Sequence, residues 1–358
     1  MKGWMAFGVL IFLLAASMAL GVCLGGDEPL SPGEVFHALT SGGPAGGTAE
    51  LRRAIILEGR LPRVITGAMV GAALAISGLL MQGLFRNPLA SPGILGATSG
   101  GAFTAVVVLA LGLEGRVAQA LQSLFAGGPG SGAAAMAARF TIPLAAVAGT
   151  WFAIGVVYLL AARGRHVTIT RLILCGVAVN TIFSAGTSLV LTMSLEEHMV
   201  GREILRWLTG GLTNRSWEHV WLTLPFLAAG LIGAPFLSRD LNLLLSGEEG
   251  ASSLGVNLPS LRRKVLVFSA LATGSAVAAA GMVGFVGLVT PHILRLILGP
   301  DHRRLALTVP LFGASFLVLC DLLAQRIIPP DEIQLGIITS IIGGPFFLLL
   351  LLRESETP

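Results

Sequence analysis

The sequence predicts an all-α integral membrane protein with about ten spanning helices. Three observations predict it. The 358 residues are 54% hydrophobic and only 12% charged, against about 25% charged in a soluble domain, and the deficit runs along the whole chain. Apolar runs near the ~20 residues needed to cross a bilayer recur from one end to the other. A weak internal repeat joins two of these runs in opposite directions, the inverted pattern of transporter folds.

The first run, 4–24, is long for a signal-peptide core and no A-x-A site closes it, so it reads as a retained helix. The second, 61–84, opens on Arg60-Leu61-Pro62-Arg63 and sets Gly67, Gly71 and Ala75 on one face, which lets another helix approach closely. Runs three and four are 93–113 and 140–162. The fifth, 172–193, carries Asn180, Ser184, Thr187 and Ser188 at i, i+4, i+7 and i+8. Such a face either lines a wet pathway or joins helices by hydrogen bonds, and both readings stay open. The sixth run is 218–238. The loop after it, about 246–262, has Glu248, Glu249, Ala251 and Leu254 spaced for a short helix. Gly255 would end that helix in the left-handed position and Pro259 would open the next. Runs seven to ten are 264–281, 284–298, 306–323 and 333–352, the eighth short and proline-containing. The repeat relates the second and seventh runs at an offset of about 203 residues: Gly71 and Gly78 match Gly274 and Gly281, and Pro88 matches Pro291.

Lys and Arg in the loops place both termini on the cytoplasmic side. That arrangement leaves Arg60, Arg63 and Arg326 outside, against the rule, so another function would hold them there. Asp321, near the outer end of run nine, has Gln325 and Arg326 as neighbours at i+4 and i+5.

Several functions are excluded. The lysines are Lys2 and Lys264, and Val265 follows the second, so no P-loop is present. No zinc-protease or serine-hydrolase motif appears, and Cys23, Cys175 and Cys320 lie far apart in apolar runs, which supports neither a metal site nor a disulfide framework. The net charge of +4 comes without a basic stripe interleaved with aromatics, so nucleic acid is not a partner. An ion-coupled secondary transporter is the alternative from another class; the absence of mid-span charges argues against it.

The segments RLPRVITGAMVGAALAISGLLMQGLFRNPLASPGILGATSG (60–100), GEEGASSLGV (247–256), GFVGLVTPHILRLILGPDHRR (284–304) and IQLGIITSIIGGPFFLLLLLR (333–353) closely resemble the permease family of ABC importers for vitamin B12, haem and ferric siderophores. Nearly the whole chain takes part. The segments 25–59 and 114–139 depart from the family in being longer and richer in glycine. The resemblance implies a type II importer transmembrane domain over 1–358 in the bacterial inner membrane. It implies a homodimer in membrane lipid, two separate ATP-binding subunits that carry ATP and magnesium, and a periplasmic substrate-binding protein. No cofactor and no catalytic residue is implied in this chain. Arg60, Arg63 and Arg326 correspond to arginines that dock the binding protein. Asn87, Leu89, Thr168 and Ile169 fall at the cytoplasmic gate, and Glu248 to Gly255 at the helix that couples to the ATPase. A ferric siderophore is the first expected cargo, with haem or cobalamin as alternatives.

Overall fold

The computed structural model describes residues 2–26, 28–40, 48–124, 132–163, 167–196 and 198–354, and among these it is helical without strands. Helix α1 (Lys2–Leu24) is followed by two short helices, α2 (Pro32–Thr40) and α3 (Thr48–Ala54). A π-helical stretch, Ile55–Arg60, leads into α4 (Leu61–Phe85). A 3₁₀ turn, Pro92–Leu95, precedes α5 (Ala97–Ala110), and α6 (Leu113–Leu124) and α7 (Gly132–Ala162) follow. Next come α8 (Ile169–Ser194), α9 (His198–Thr209), α10 (Trp217–Leu244), the six-residue α11 (Glu248–Ser253) and α12 (Leu258–Ala280). The chain closes with α13 (Val286–Leu298), α14 (His302–Arg326) and α15 (Leu335–Glu354).

Every expected apolar run is a helix. Among the described residues, seven helices are by themselves long and apolar enough to cross a membrane; α5 with α6, bent by 66°, makes an eighth if the pair is one span, and α13 and α15 are shorter apolar helices. The third run is not straight. Gly96 takes φ +74°, which breaks the chain after the 3₁₀ turn and lets α5 start afresh at Ala97. The fourth and sixth helices outrun their predicted bounds, α7 at its start and α10 chiefly at its end, and Pro143, Pro225 and Pro235 are accommodated inside them. Of the glycine-rich segments, residues 27, 41–47 and 125–131 lie outside the described residues, and most of the rest forms α2, α3 and α6.

Helix α4 is the axis of the molecule, buried almost continuously from Val64 to Phe85. It packs against α14, α12, α10 and α13. Small residues make this possible. A Cβ added at Gly71 would stand 2.2 Å from the Gly313 carbonyl oxygen of α14, and one at Gly78 would stand 1.7 Å from that of Gly287 on α13. The backbones cross in near contact, a geometry that glycine permits between membrane helices. Where α4 meets α12, the Ser77 hydroxyl lies 2.5 Å from that of Ser269 and 2.7 Å from that of Thr273, so polar groups deep in the core satisfy one another.

The inverted relation shows in the packing scheme. Helix α4 packs on α14 and α13, and α12 packs on α7 and α5. The two central helices run antiparallel. Arg63 at the start of α4 and Thr213 both bond Glu332, and Gly211 N–H donates to the Ala280 carbonyl at the end of α12 (2.9 Å). In sequence register the match is looser, since the offset sets Pro88, in a turn, against Pro291, inside α13. The two ends of the molecule are called below the Arg63 face and the α11 face.

Candidate functional site

At the Arg63 face, the carbonyl end of α1 is held by two arginines. Arg60, 9% exposed, donates through Nη1 to the carbonyls of Val22 (3.0 Å) and Cys23 (3.2 Å), and through Nη2 to that of Glu28 (2.5 Å). Arg326 donates through Nε to the Leu24 carbonyl (2.8 Å). The last carbonyls of a helix have no partner within it and carry the negative end of its dipole, so cations belong there.

Arg63 does something different. Its Nε and Nη2 grip Asp321 as a fork (2.9 Å each), and its Nη1 and Nη2 reach Glu332 (2.7 and 3.1 Å). Asp321 also accepts from Gln325 Nε2 (2.8 Å), the i+4 partner expected from the sequence, and Glu332 accepts from the Thr213 hydroxyl (2.7 Å). One guanidinium thereby joins α4, α14 and the loop that leads into α15. Burial pushes the Glu332 carboxyl up, but the Arg63 and Thr213 hydrogen bonds and the Arg63 charge outweigh it and hold the group below its ordinary range. The three rim arginines of the sequence analysis thus share one face, with most of their donors engaged within the chain. Close by, Arg215 Nη1 meets His219 Nε2 at 3.0 Å, and burial together with the Arg63 charge pushes the Arg215 pKa down to about 10.

The opposite face gathers the gate and loop residues. Helix α4 ends at Arg86 in the left-handed region (φ 50°), and the Asn87 Oδ1 accepts from Leu89 N–H (2.8 Å), a side-chain turn that reverses the chain ahead of Pro92. Thr168 caps α8 by accepting from Arg171 N–H (3.3 Å), with Ile169 as the first helical residue. Glu248 and Glu249 occupy the first turn of α11, where the helix dipole favours anions. Ala251 is fully buried beneath the helix and Leu254 is 60% exposed. Gly255 has φ +87°; its N–H bonds the Ser252 carbonyl (3.0 Å) and Val256 N–H bonds that of Ala251 (3.0 Å), the paired bonds of a Schellman stop. Asn257 then caps α12 through Ser260 N–H (3.0 Å).

Gly255→Val is therefore expected to unravel this stop. No atom lies within 4 Å of an added Cβ, so the penalty is backbone strain alone, about 1–2 kcal/mol. Hydrogen exchange checks it: amides 255 and 256 should lose protection while α12 keeps its own, and unchanged protection at 255–256 would contradict the assignment.

On α8 the structure rephases the predicted polar face. Ser184 and Ser188 are exposed, Asn180 is half-buried, and Thr187 is buried with its hydroxyl donated to the Phe183 carbonyl (2.8 Å). Thr181 and Thr192 complete the exposed stripe. The sequence contained them; only the helix's rotation against α5 and α7 was missing. Both threonines donate to the carbonyl four residues back (2.9 and 2.8 Å), so they present methyls and oxygen lone pairs rather than free donors.

Sequence reasoning also missed a set of partly buried polar contacts at the α11 face. Arg295 donates to Gln82 Oε1 (2.8 Å), Gln82 donates to the Leu288 carbonyl (3.1 Å), and Asn242 links Asp301 (2.7 Å) to the His302 backbone (2.8 Å). The Asn242 hydrogen bond holds the Asp301 carboxyl below its ordinary range. Among the described residues no group of three His, Cys, Asp or Glu side chains could hold a metal ion.

The helical bundle, the inverted pairing scheme and the capped two-helix knob between α10 and α12 agree with the ABC importer transmembrane domain that the sequence resembles. The comparisons agree. The model of the FecCD transport family matches residues 10–353. The chain is 40% identical to YvrB of Bacillus subtilis strain 168, an uncharacterized ABC transporter permease protein, over 95% of this chain and 91% of that one. It is 40% identical to BtuC of Halobacterium salinarum, a cobalamin import system permease protein, over 87% and 76%. A solved structure assigned to the metal-chelate type of ABC transporter, in an inward-facing conformation, superposes with a TM-score of 0.78 at 28% identity, covering 97% of this chain and 98% of that one. The chain belongs to the FecCD transport family.

Proposed function

We propose that this chain is a single transmembrane permease domain that works as a homodimer in a bacterial inner membrane and imports a large metal chelate. Two separate ATPase subunits bind at the α11 face, which is cytoplasmic, and carry ATP and magnesium. A substrate-binding protein docks at the Arg63 face outside. The observation that carries this reading is the family match over residues 10–353, supported by the capped α11 knob. Exposed Leu254, with Glu248 and Glu249 beside it, is the surface offered to an ATPase groove.

On the outer rim, Arg60, Arg63 and Arg326 frame the docking surface. Arg63 already uses four of its N–H donors on Asp321 and Glu332, so the rim acts more by fixed positive charge than by a free fork. Fixed charges steer an acidic partner and set its orientation. The pathway runs along the Thr181, Ser184, Ser188 and Thr192 stripe of α8 to a gate at Asn87, Leu89, Thr168 and Ile169. The two threonines of that stripe spend their donors on their own helix, and ligand choice rests with the binding protein. Cobalamin, haem and ferric siderophores all fit such a machine, and a ferric siderophore is the first cargo to offer.

Uptake tests the proposal. Cells with and without the gene are offered labelled ferric siderophore, haemin or cobalamin. Loss of one uptake on deletion, matched by ATP depletion, supports the importer and names its cargo. Uptake that survives ATP depletion and fails with a protonophore would replace it with an ion-coupled carrier.

A further inference from the structure

Arg262, Arg263 and Lys264 look alike in sequence, a basic flank to the seventh span, yet the structure separates them. Arg263 and Lys264 are exposed; Arg262 is turned inward and 8% exposed. A buried cation is costly unless it is paired and hydrogen-bonded. Arg262 is paired twice. Its Nη2 donates to Glu248 Oε1 in the first turn of α11 (2.7 Å), and its Nη1 donates to the carbonyl of Val167, the residue just before the cap of α8.

From this geometry we infer that Arg262 is a positioning residue that transmits movement of the α11 knob to the gate end of α8. The inference rests on the reading of α11 as the ATPase contact. Helix α11 itself packs on α10 and α12. The guanidinium adds a route to the segment that carries Thr168 and Ile169. It is planar and rigid, so its two nitrogens hold the two acceptors at a set spacing. Both bonds involve a full charge, which makes them stronger than neutral ones. A push on Glu248 therefore displaces the Val167 carbonyl, and with it the start of the helix that bears the exposed polar stripe.

The test uses the complex of this chain with its ATPase subunit in lipid nanodiscs. Cys23, Cys175 and Cys320 are replaced, and exposed Thr170, in the first turn of α8, becomes the one labelled cysteine. Electron–electron resonance reads the distance between the two copies of the label, with and without ATP plus vanadate. In Arg262→Gln, ATP hydrolysis is expected to persist while the nucleotide-driven distance change falls to less than half. A change as large as in the unsubstituted complex would overturn the link. Glu248→Gln should reduce the response in the same direction, and the double variant should be no worse than Arg262→Gln alone, since both side chains act through one connection. If Arg262→Gln does not assemble, the response of assembled Glu248→Gln complexes decides. An unsubstituted complex with no copy-to-copy distance, or with no nucleotide response, would instead bring down the homodimeric, ATP-gated reading on which the link depends.

Discussion

Gly78→Leu is expected to yield no folded protein. The Cβ alone would lie 1.7 Å from the Gly287 carbonyl oxygen and 2.4 Å from its carbonyl carbon, and both belong to backbone. No rotamer relieves that contact, so α4 and α13 would have to separate along their crossing. Helix α4 is the buried axis of the molecule, and α10, α12 and α14 rest on it as well. Gly59→Leu, with open space around its added Cβ, is the control and should express normally. Detergent-extracted yield and size-exclusion profile read the difference. A monodisperse Gly78→Leu protein at normal yield would show that the close crossing is not as drawn.

Arg63→Ala is expected to lose about 3–5 kcal/mol, the usual consequence of leaving one member of a buried ion pair behind. Asp321 is 4% exposed and would keep only Gln325. Removing the acids along with the arginine, as Arg63→Ala with Asp321→Asn and Glu332→Gln, should recover part of the loss, because the uncompensated charges leave too. Thermal unfolding in detergent measures both. Acidification gives a second check. Glu332 has its pKa lowered in the folded protein, so its contribution is present above the unfolded carboxylate pKa and is lost as pH falls through the folded one. The gap in stability between the unsubstituted protein and Arg63→Ala should therefore narrow at low pH. A gap that stays constant would contradict the stabilising Arg63–Glu332 pairing.

These residues show what a sequence can and cannot reveal. Apolar runs are one-dimensional, and the helices they announce appear where bilayer length requires them. The knob at Glu248–Gly255 was legible because a helix-ending glycine followed by a helix-opening proline has few other conformations. Arg63, Asp321 and Glu332 lie up to 269 residues apart, and no local pattern announces that they meet. Charge counting could only mark Arg60, Arg63 and Arg326 as misplaced; it could not see the helix end waiting for two of them. On α8 the spacing marked Asn180, Ser184, Thr187 and Ser188 but not which of them stay exposed, since that depends on how the helix turns against its neighbours. Helix α9 was missed because its twelve residues mix His198, Arg202, Glu203 and Arg206 with apolar positions and read as a loop.

The fastening of α1 bears on how the chain is made. A ribosome delivers this helix long before α14, yet the groups that hold its far end come from Arg60 and, much later, from Gln325 and Arg326. Until α14 has been inserted, the Leu24 carbonyl lacks its arginine, and the turn at Gly26 lacks the Gln325 oxygen that accepts its N–H. Helix α1 must wait beside the growing bundle until the arrival of α14 fastens its far end.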